Sequence, residues 1–245
     1  MKPGPAGQRR APRGRPAGRR VFVRVGAPAP GGAFRALAGV PADLERMGKA
    51  FAHLDYDVAE PVCNPSPVEL RAGVRERVDG ADLGQADALV LYYSGHGLFV
   101  DGDHYLCPKG FDRDDVAITG LKTRELIELV IRRRRRPGRF WLILDCCQAG
   151  GVLEDGLLAT MAGAGTDAFV LAASGSWGPA QDGLFSRAFC AALRGGRWGR
   201  RGAAGGLDAI TQTINRRLSR GRLRGPTVVQ AAVCRARFDL LDGPR

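Results

Sequence analysis

The chain has 245 residues, an apolar content of 44% and a formal net charge of +12. This length is sufficient for one large domain with a substantial core. Its longest apolar runs have five or six residues, which excludes a membrane-spanning helix. The basic N-terminus lacks the apolar stretch of a secretory signal. We therefore expect a cytoplasmic protein that has no membrane partner.

The positive charge is concentrated in two segments. Residues 1–20 contain seven of the 37 Lys and Arg residues, many Pro and Gly residues and no acid, which predicts a disordered basic arm before a domain at 21–245. The second segment is the arginine block 132–136. Both segments would suit nucleic acid or another acidic partner. We favour a simpler interpretation, a solvated arm and a helix end that complements the helix dipole, and expect no nucleic-acid partner.

From residue 21 onward, short apolar strands alternate with amphipathic helices. The predicted strands are 21–25, 57–62, 88–93, 140–144, 168–173 and 227–233. The predicted helices are 41–54, 68–78, 123–131, 184–193 and 207–218. An Asp-Gly turn at 101–102 predicts a separate hairpin in the part of the chain between the predicted strands 88–93 and 140–144. Such alternation predicts an α/β domain with a mostly parallel sheet and helices on both faces.

Two short segments contain groups suited to nucleophilic catalysis. His96 lies between two glycines just after one apolar strand, and Cys147 follows another such strand 51 residues later. The carboxyl ends of parallel strands meet at one edge of a sheet, so the two side chains converge if the strands are neighbours. An imidazole near a thiol favours the thiolate, which is the form that attacks a carbonyl. The pattern predicts a cysteine hydrolase.

The backbone N–H groups of Gly97 and Cys147 are the predicted oxyanion donors. By strand alternation Cys146 faces the other way and is expected to be a packing residue. A simpler alternative is that His96 closes a turn and both cysteines pack as small apolar groups. Ser174 follows a further strand and is the rival nucleophile, but no histidine is predicted beside it.

These segments resemble those of caspase-like cysteine peptidases, specifically the metacaspase-type and bacterial branch. Tyr93–Gly97 resembles the histidine motif of that family, and Asp145–Gly150 resembles its Asp-x-Cys-x-Ser-Gly nucleophile motif. The interval between them is close to the roughly fifty residues expected for caspases. The resemblance extends to Ala42–Leu44 and Gly183–Ala188 and covers about residues 20–235. It implies a caspase-like sandwich fold.

The resemblance also implies a substrate preference. In metacaspases an acidic pocket accepts Arg or Lys before the scissile bond, and the matching positions here are Asp43, Ser94 and Asp145. Ser174 is also expected to line the substrate groove. Simpler roles are a helix N-cap for Asp145 and a first-turn acid for Asp43. The implied activity is that of an endopeptidase acting on proteins or peptides with basic residues.

The sequence departs from the family pattern in two places. Gln148 and Ala149 replace the commoner His and Ser after the nucleophile. The segment between His96 and Cys147 also lacks a long run of acids, which disfavours the calcium activation that some metacaspases show. The acids of this chain have a spacing that fits no calcium-binding loop. The candidate oxygen ligands are Asp101, Asp103, Asp112, Asp114, Asp115, Glu154 and Asp155.

We expect no metal and no cofactor. The six cysteines include no CxxC pair, which disfavours a structural zinc site and favours reduced thiols. The main alternative to an enzyme is a non-catalytic adaptor of the same fold that binds a regulatory partner protein. The presence of both His96 and Cys147 disfavours that alternative.

Overall fold

The computed structural model describes residues 18–32, 34–85, 87–133, 137–153, 166–175, 183–195, 206–220 and 229–233. Most of the predicted basic arm, residues 1–17, lies outside this part of the chain, as do residues 134–136 of the arginine block. The end of the arm belongs to the fold, because the backbone N–H of Arg19 donates to Asp87 at 2.7 Å and Arg20 begins the first strand. No helix within the described ranges has the length and apolar character needed to cross a membrane.

The strands and helices follow the predicted order. The strands are β1 Arg20–Ala27, β2 Asp57–Val58, β3 Val62–Cys63, β4 Ala88–Val100, β5 Asp103–Cys107, β6 Leu121–Lys122, β7 Arg139–Asp145, β8 Asp167–Ala172 and β9 Val229–Val233. The helices are α1 Val40–Ala52, α2 Pro67–Gly80, α3 Val116–Thr119, α4 Thr123–Ile131, α5 Leu184–Gly195 and α6 Gly206–Arg220, with a 3₁₀ turn at Ala149–Leu153.

The central sheet has the strand order β2-β1-β4-β7-β8-β9. The pairs β1–β2, β1–β4, β4–β7 and β7–β8 are parallel, and β9 is antiparallel to β8 at the edge. The prediction of a mostly parallel α/β sheet is therefore confirmed. The direction of β9 was not predictable from its own apolar residues, which suit either orientation.

The sheet separates two hydrophobic cores. On one face, α2 and α4 pack on alternate strand residues such as Leu91 and Leu142. On the other face, α1, α5 and α6 cover an aromatic layer that includes Phe22, Tyr92 and Trp141. Strands that are buried on both faces have continuous apolar sequences, which is why β4 and β7 were recognisable.

The strand β4 does not end at the histidine motif. It leaves the central sheet after Gly95 and continues as an antiparallel hairpin in which His96 is paired with Cys107. The predicted turn is present, with positive φ values of 50° at Asp101 and 82° at Gly102. Strand β6, which extends this hairpin, has only two residues and left no pattern in the sequence.

Candidate active site

The register of β4 and β7 aligns the two predicted catalytic segments. Ser94 on β4 is paired directly with Asp145 on β7. His96 and Cys147 each lie two residues beyond this pair, at the carboxyl ends of the parallel strands. The condition for convergence stated from the sequence, that the two strands are neighbours, is therefore met.

Gly97 allows the two segments to approach closely. A Cβ atom at this position would lie 2.7 Å from the carbonyl oxygen of Cys147 and 2.9 Å from Sγ of Cys146. Real side chains do not approach neighbouring backbone so closely, so a larger residue would force the nucleophile segment away. The close approach explains why glycine follows the histidine here.

The ring of His96 is oriented by a loop that precedes α1. Its Nε2 atom lies 2.7 Å from the carbonyl oxygen of Arg35. A carbonyl oxygen only accepts, so Nε2 donates and Nδ1 is the atom that can accept a proton. Phe34 meets the imidazole edge-on with ring centroids 5.0 Å apart. Sequence reasoning missed the Arg35 carbonyl because a backbone acceptor leaves no side-chain signal.

The adjacent cysteines have different surroundings. Cys146 is fully buried in the core, and this burial, with the charges of Cys147 and Asp145, raises the pKa of its thiol well above the ordinary value. Cys147 is partly exposed. The predicted packing role of Cys146 is confirmed, and Cys147 is the more accessible of the two thiols.

The segment after Cys147 is held by specific hydrogen bonds. Gln148 has a left-handed φ of 53°, which is uncommon for a residue other than glycine, and its Oε1 accepts a 2.7 Å hydrogen bond from the N–H of Phe99. Ser174 accepts from the N–H of Ala149 at 3.2 Å and donates to the carbonyl of Cys146 at 3.1 Å. The departures Gln148 and Ala149 are thus accommodated by contacts to the hairpin and to Ser174, which follows β8.

Ser174 is fully buried beneath this segment. Its hydroxyl is engaged by backbone groups of the nucleophile segment, so it supports that segment rather than offering a second nucleophile. Its contact with substrate stays a prediction. The neighbouring residues Ser176 and Trp177, which the sequence also suggested for the groove, lie outside the described residues.

A buried histidine that sequence reasoning gave no catalytic role lies below the nucleophile. His104 on β5 contacts Oγ1 of Thr123 through Nδ1 at 2.8 Å and the carbonyl oxygen of Cys147 through Nε2 at 3.4 Å. Burial lowers its pKa to about 4, an effect that the hydrogen bond to the Cys147 backbone partly opposes. The neutral imidazole therefore ties the hairpin to the nucleophile segment.

The three residues predicted for the acidic pocket lie close to one phenol. The hydroxyl of Tyr92 donates to Oδ2 of Asp145 at 2.8 Å. Burial, followed by the negative charges of Asp145 and Asp43, raises the pKa of Tyr92, and a hydrogen bond with Ser94 partly opposes this. Asp43, Ser94 and Asp145 are all buried. The structure therefore brings the predicted pocket residues together.

Asp43 is held by side chains of two helices. It lies in the first turn of α1, as predicted, and its Oδ1 is 2.6 Å from Nη1 of Arg46. Ser186 on α5 donates to the same oxygen at 2.5 Å. Sequence reasoning did not identify Arg46, and it included Ser186 only within a family-like segment.

Metal ligands are not grouped in the described ranges. Within them, no three His, Cys, Asp or Glu side chains are arranged to hold an ion. Glu154 and Asp155, two of the candidate calcium ligands, lie outside those ranges. The expected absence of a metal stays a prediction.

Comparison with known proteins places the chain in a family. The Caspase domain family matches residues 30–236. Metacaspase-9 of Arabidopsis thaliana is 29% identical over 105 residues, which cover 40% of this chain and 30% of that relative. The chain thus aligns with less than a third of the curated relative's length.

Solved caspases share the fold. The crystal structure of Caspase-1 from Spodoptera frugiperda has a TM-score of 0.61 at 12% identity and covers 92% of this chain and 95% of that one. The Drosophila initiator caspase Dronc has a TM-score of 0.56 at 11% identity, with coverages of 87% and 78%. With the match of the Caspase domain family over most of the chain, these likenesses confirm the predicted fold, and the chain belongs to the caspase-like peptidase family.

Proposed function

We propose that the protein is a cysteine endopeptidase in which Cys147 is the nucleophile and His96 is the general base. One observation carries this proposal. The register that pairs Ser94 with Asp145 sets both segments at the same edge of the sheet, and a Cβ at Gly97 would lie only 2.7 Å from the carbonyl oxygen of Cys147. Family membership supports the same chemistry.

The orientation of His96 determines which ring nitrogen accepts the proton of the thiol. The Arg35 carbonyl holds the proton on Nε2, which leaves Nδ1 to accept the proton of the Cys147 thiol. The thiolate then attacks the scissile carbonyl, and the backbone N–H groups of Gly97 and Cys147 stabilise the oxyanion. Collapse of the tetrahedral intermediate releases the amine, which takes the proton from His96, and leaves an acyl-enzyme on Cys147. Water hydrolyses this thioester and regenerates the Cys147 thiol, and no cofactor is required.

We further propose cleavage after Arg or Lys. Asp43 and Asp145 are both close enough to Tyr92 for their charges to raise the pKa of its hydroxyl. Arg46 already pairs with Asp43, and a substrate guanidinium would add a second cation to these buried carboxylates through its planar set of donors. The same negative charges would repel a substrate carboxylate.

A peptide library that varies the residue before the scissile bond tests this preference. We expect turnover for Arg and Lys, and Asp145→Asn should lower kcat/KM for these substrates by about 10- to 100-fold because a buried charge pair is lost. Asp101→Asn is the matched control, because Asp101 lies exposed in the hairpin turn and Asn tolerates its positive φ. Cleavage after Asp alone would contradict the pocket assignment. A wild-type protein that cleaves no member of the library would favour the adaptor with a regulatory partner.

A further inference from the structure

An arginine of the chain itself binds one of the two pocket carboxylates. Arg46 lies one turn after Asp43 on α1, and its Nη1 atom is 2.6 Å from Oδ1 of Asp43 and 2.6 Å from Oγ of Ser186. Ser186 in turn donates to Asp43 at 2.5 Å. The three side chains form a closed triangle between α1 and α5.

The burial of this triangle strengthens the attraction between Arg46 and Asp43. Asp43 is 1% exposed and the side chain of Arg46 is 25% exposed, so solvent screens their attraction far less than that of an exposed pair. Lys49 and Glu45 form such an exposed pair one turn further along the same helix, with 75% and 67% of their side chains accessible. A hydrogen-bonded, poorly screened guanidinium therefore already neutralises Asp43.

This neutralisation bears on how a substrate can use Asp43. The guanidinium of Arg46 is a cation within hydrogen-bond distance of Asp43. A substrate guanidinium that approaches Asp43 meets the like charge of Arg46 and must share or displace it. Arg46 offers the same chemical group that the substrate would bring.

We propose that Arg46 is a specificity-determining residue that competes with the basic side chain of the substrate for Asp43. The inference rests on the proposed preference for Arg or Lys, and it adds that Arg46 weakens the binding of such substrates. Because Arg46 acts on substrate affinity and contacts no reacting atom, its removal should change KM far more than kcat.

Binding of argininamide to proteins that also carry Cys147→Ala tests this without any turnover. We expect Arg46→Gln to bind argininamide about tenfold more tightly than the Cys147→Ala parent, because the cation that competes for Asp43 is removed. Lys49→Gln removes a cation from the same helix without exposing Asp43, so it should leave the affinity unchanged. Adding Asp43→Asn to Arg46→Gln should abolish the gain. Calorimetry gives the affinities, and circular dichroism verifies the fold.

Arg46→Lys addresses the risk that Arg46→Gln does not fold. It keeps the positive charge beside Asp43, but a single ammonium lacks the planar donor set of arginine and is easier to displace. It should bind argininamide a few-fold more tightly than the parent, by the same competition. An affinity that is unchanged or weaker in the folded variants would overturn the proposal. Tighter argininamide binding without cleavage of basic peptides by the Cys147 protein would instead contradict the proposed function alone.

Discussion

Ser94 and Asp145 face each other as a direct pair across the parallel strands β4 and β7. This one pairing positions two sets of predicted functional groups. Ser94 and Asp145 themselves belong to the predicted acidic pocket, and the predicted base and nucleophile lie two residues further on. A shift of register by one residue would separate both sets at once. The strand pairing therefore links the proposed chemistry to the proposed substrate preference.

Gly97→Ala should strongly impair activity. The added methyl would lie 2.7 Å from the Cys147 carbonyl and 2.9 Å from Nε2 of His104, so the nucleophile segment must move. We expect a fall of about 100-fold in kcat/KM, the scale of a displacement of about 1 Å at a reacting group. Gly80→Ala is the control, since a Cβ there meets nothing within 4 Å. Equal activity of the two variants would show that Gly97 does not set the approach.

Ser174→Ala should loosen the nucleophile segment. The substitution leaves the N–H of Ala149 and the carbonyl of Cys146 without their hydroxyl partner. We expect the free energy of unfolding to fall by about 1–3 kcal/mol, as for other buried groups left unsatisfied, together with a lower kcat. Ser219→Ala removes an exposed hydroxyl that donates to the Arg216 carbonyl and should change neither quantity. Denaturant unfolding and peptide hydrolysis measure both, and an unaltered kcat would limit Ser174 to a stabilising role.

The features recognised in the sequence are those encoded by local pattern. Continuous apolar runs identified β4 and β7, and the residues that follow them identified His96 and Cys147. The missed features depend on long-range contact. Asp43 and Ser186 are separated by 143 residues, the acceptor for His96 is a backbone carbonyl, and His104 looks like any hairpin residue until β5 folds beneath Cys147. Such pairings are specified by the tertiary fold.

His104 should make stability depend on pH in a defined window. Its pKa is lowered from 6.5 to about 4 by burial, so between these values the unfolded chain binds a proton that the folded protein does not. Stability is therefore fully present above pH 6.5 and falls as the pH drops towards 4, by up to about 3 kcal/mol for this group.

His104→Gln should remove this part of the acid sensitivity, because glutamine has no titrating group. Urea unfolding at several pH values between 4 and 7 measures it. His53→Gln, at the exposed end of α1, should retain the wild-type dependence. If His104→Gln loses stability over this window as steeply as the wild type does, another group is responsible.

The most direct measurement of the central claim is hydrolysis of an Arg-terminated peptide reporter by the wild type and by Cys147→Ala. We predict that the wild type cleaves the reporter and that the variant loses at least about a thousandfold in kcat/KM, as expected when a covalent nucleophile is removed. Cys63→Ala, which removes an exposed thiol on β3, a strand separated from β4 by β1, should cleave at the wild-type rate. Turnover by Cys147→Ala at the rate of the wild type would contradict the account.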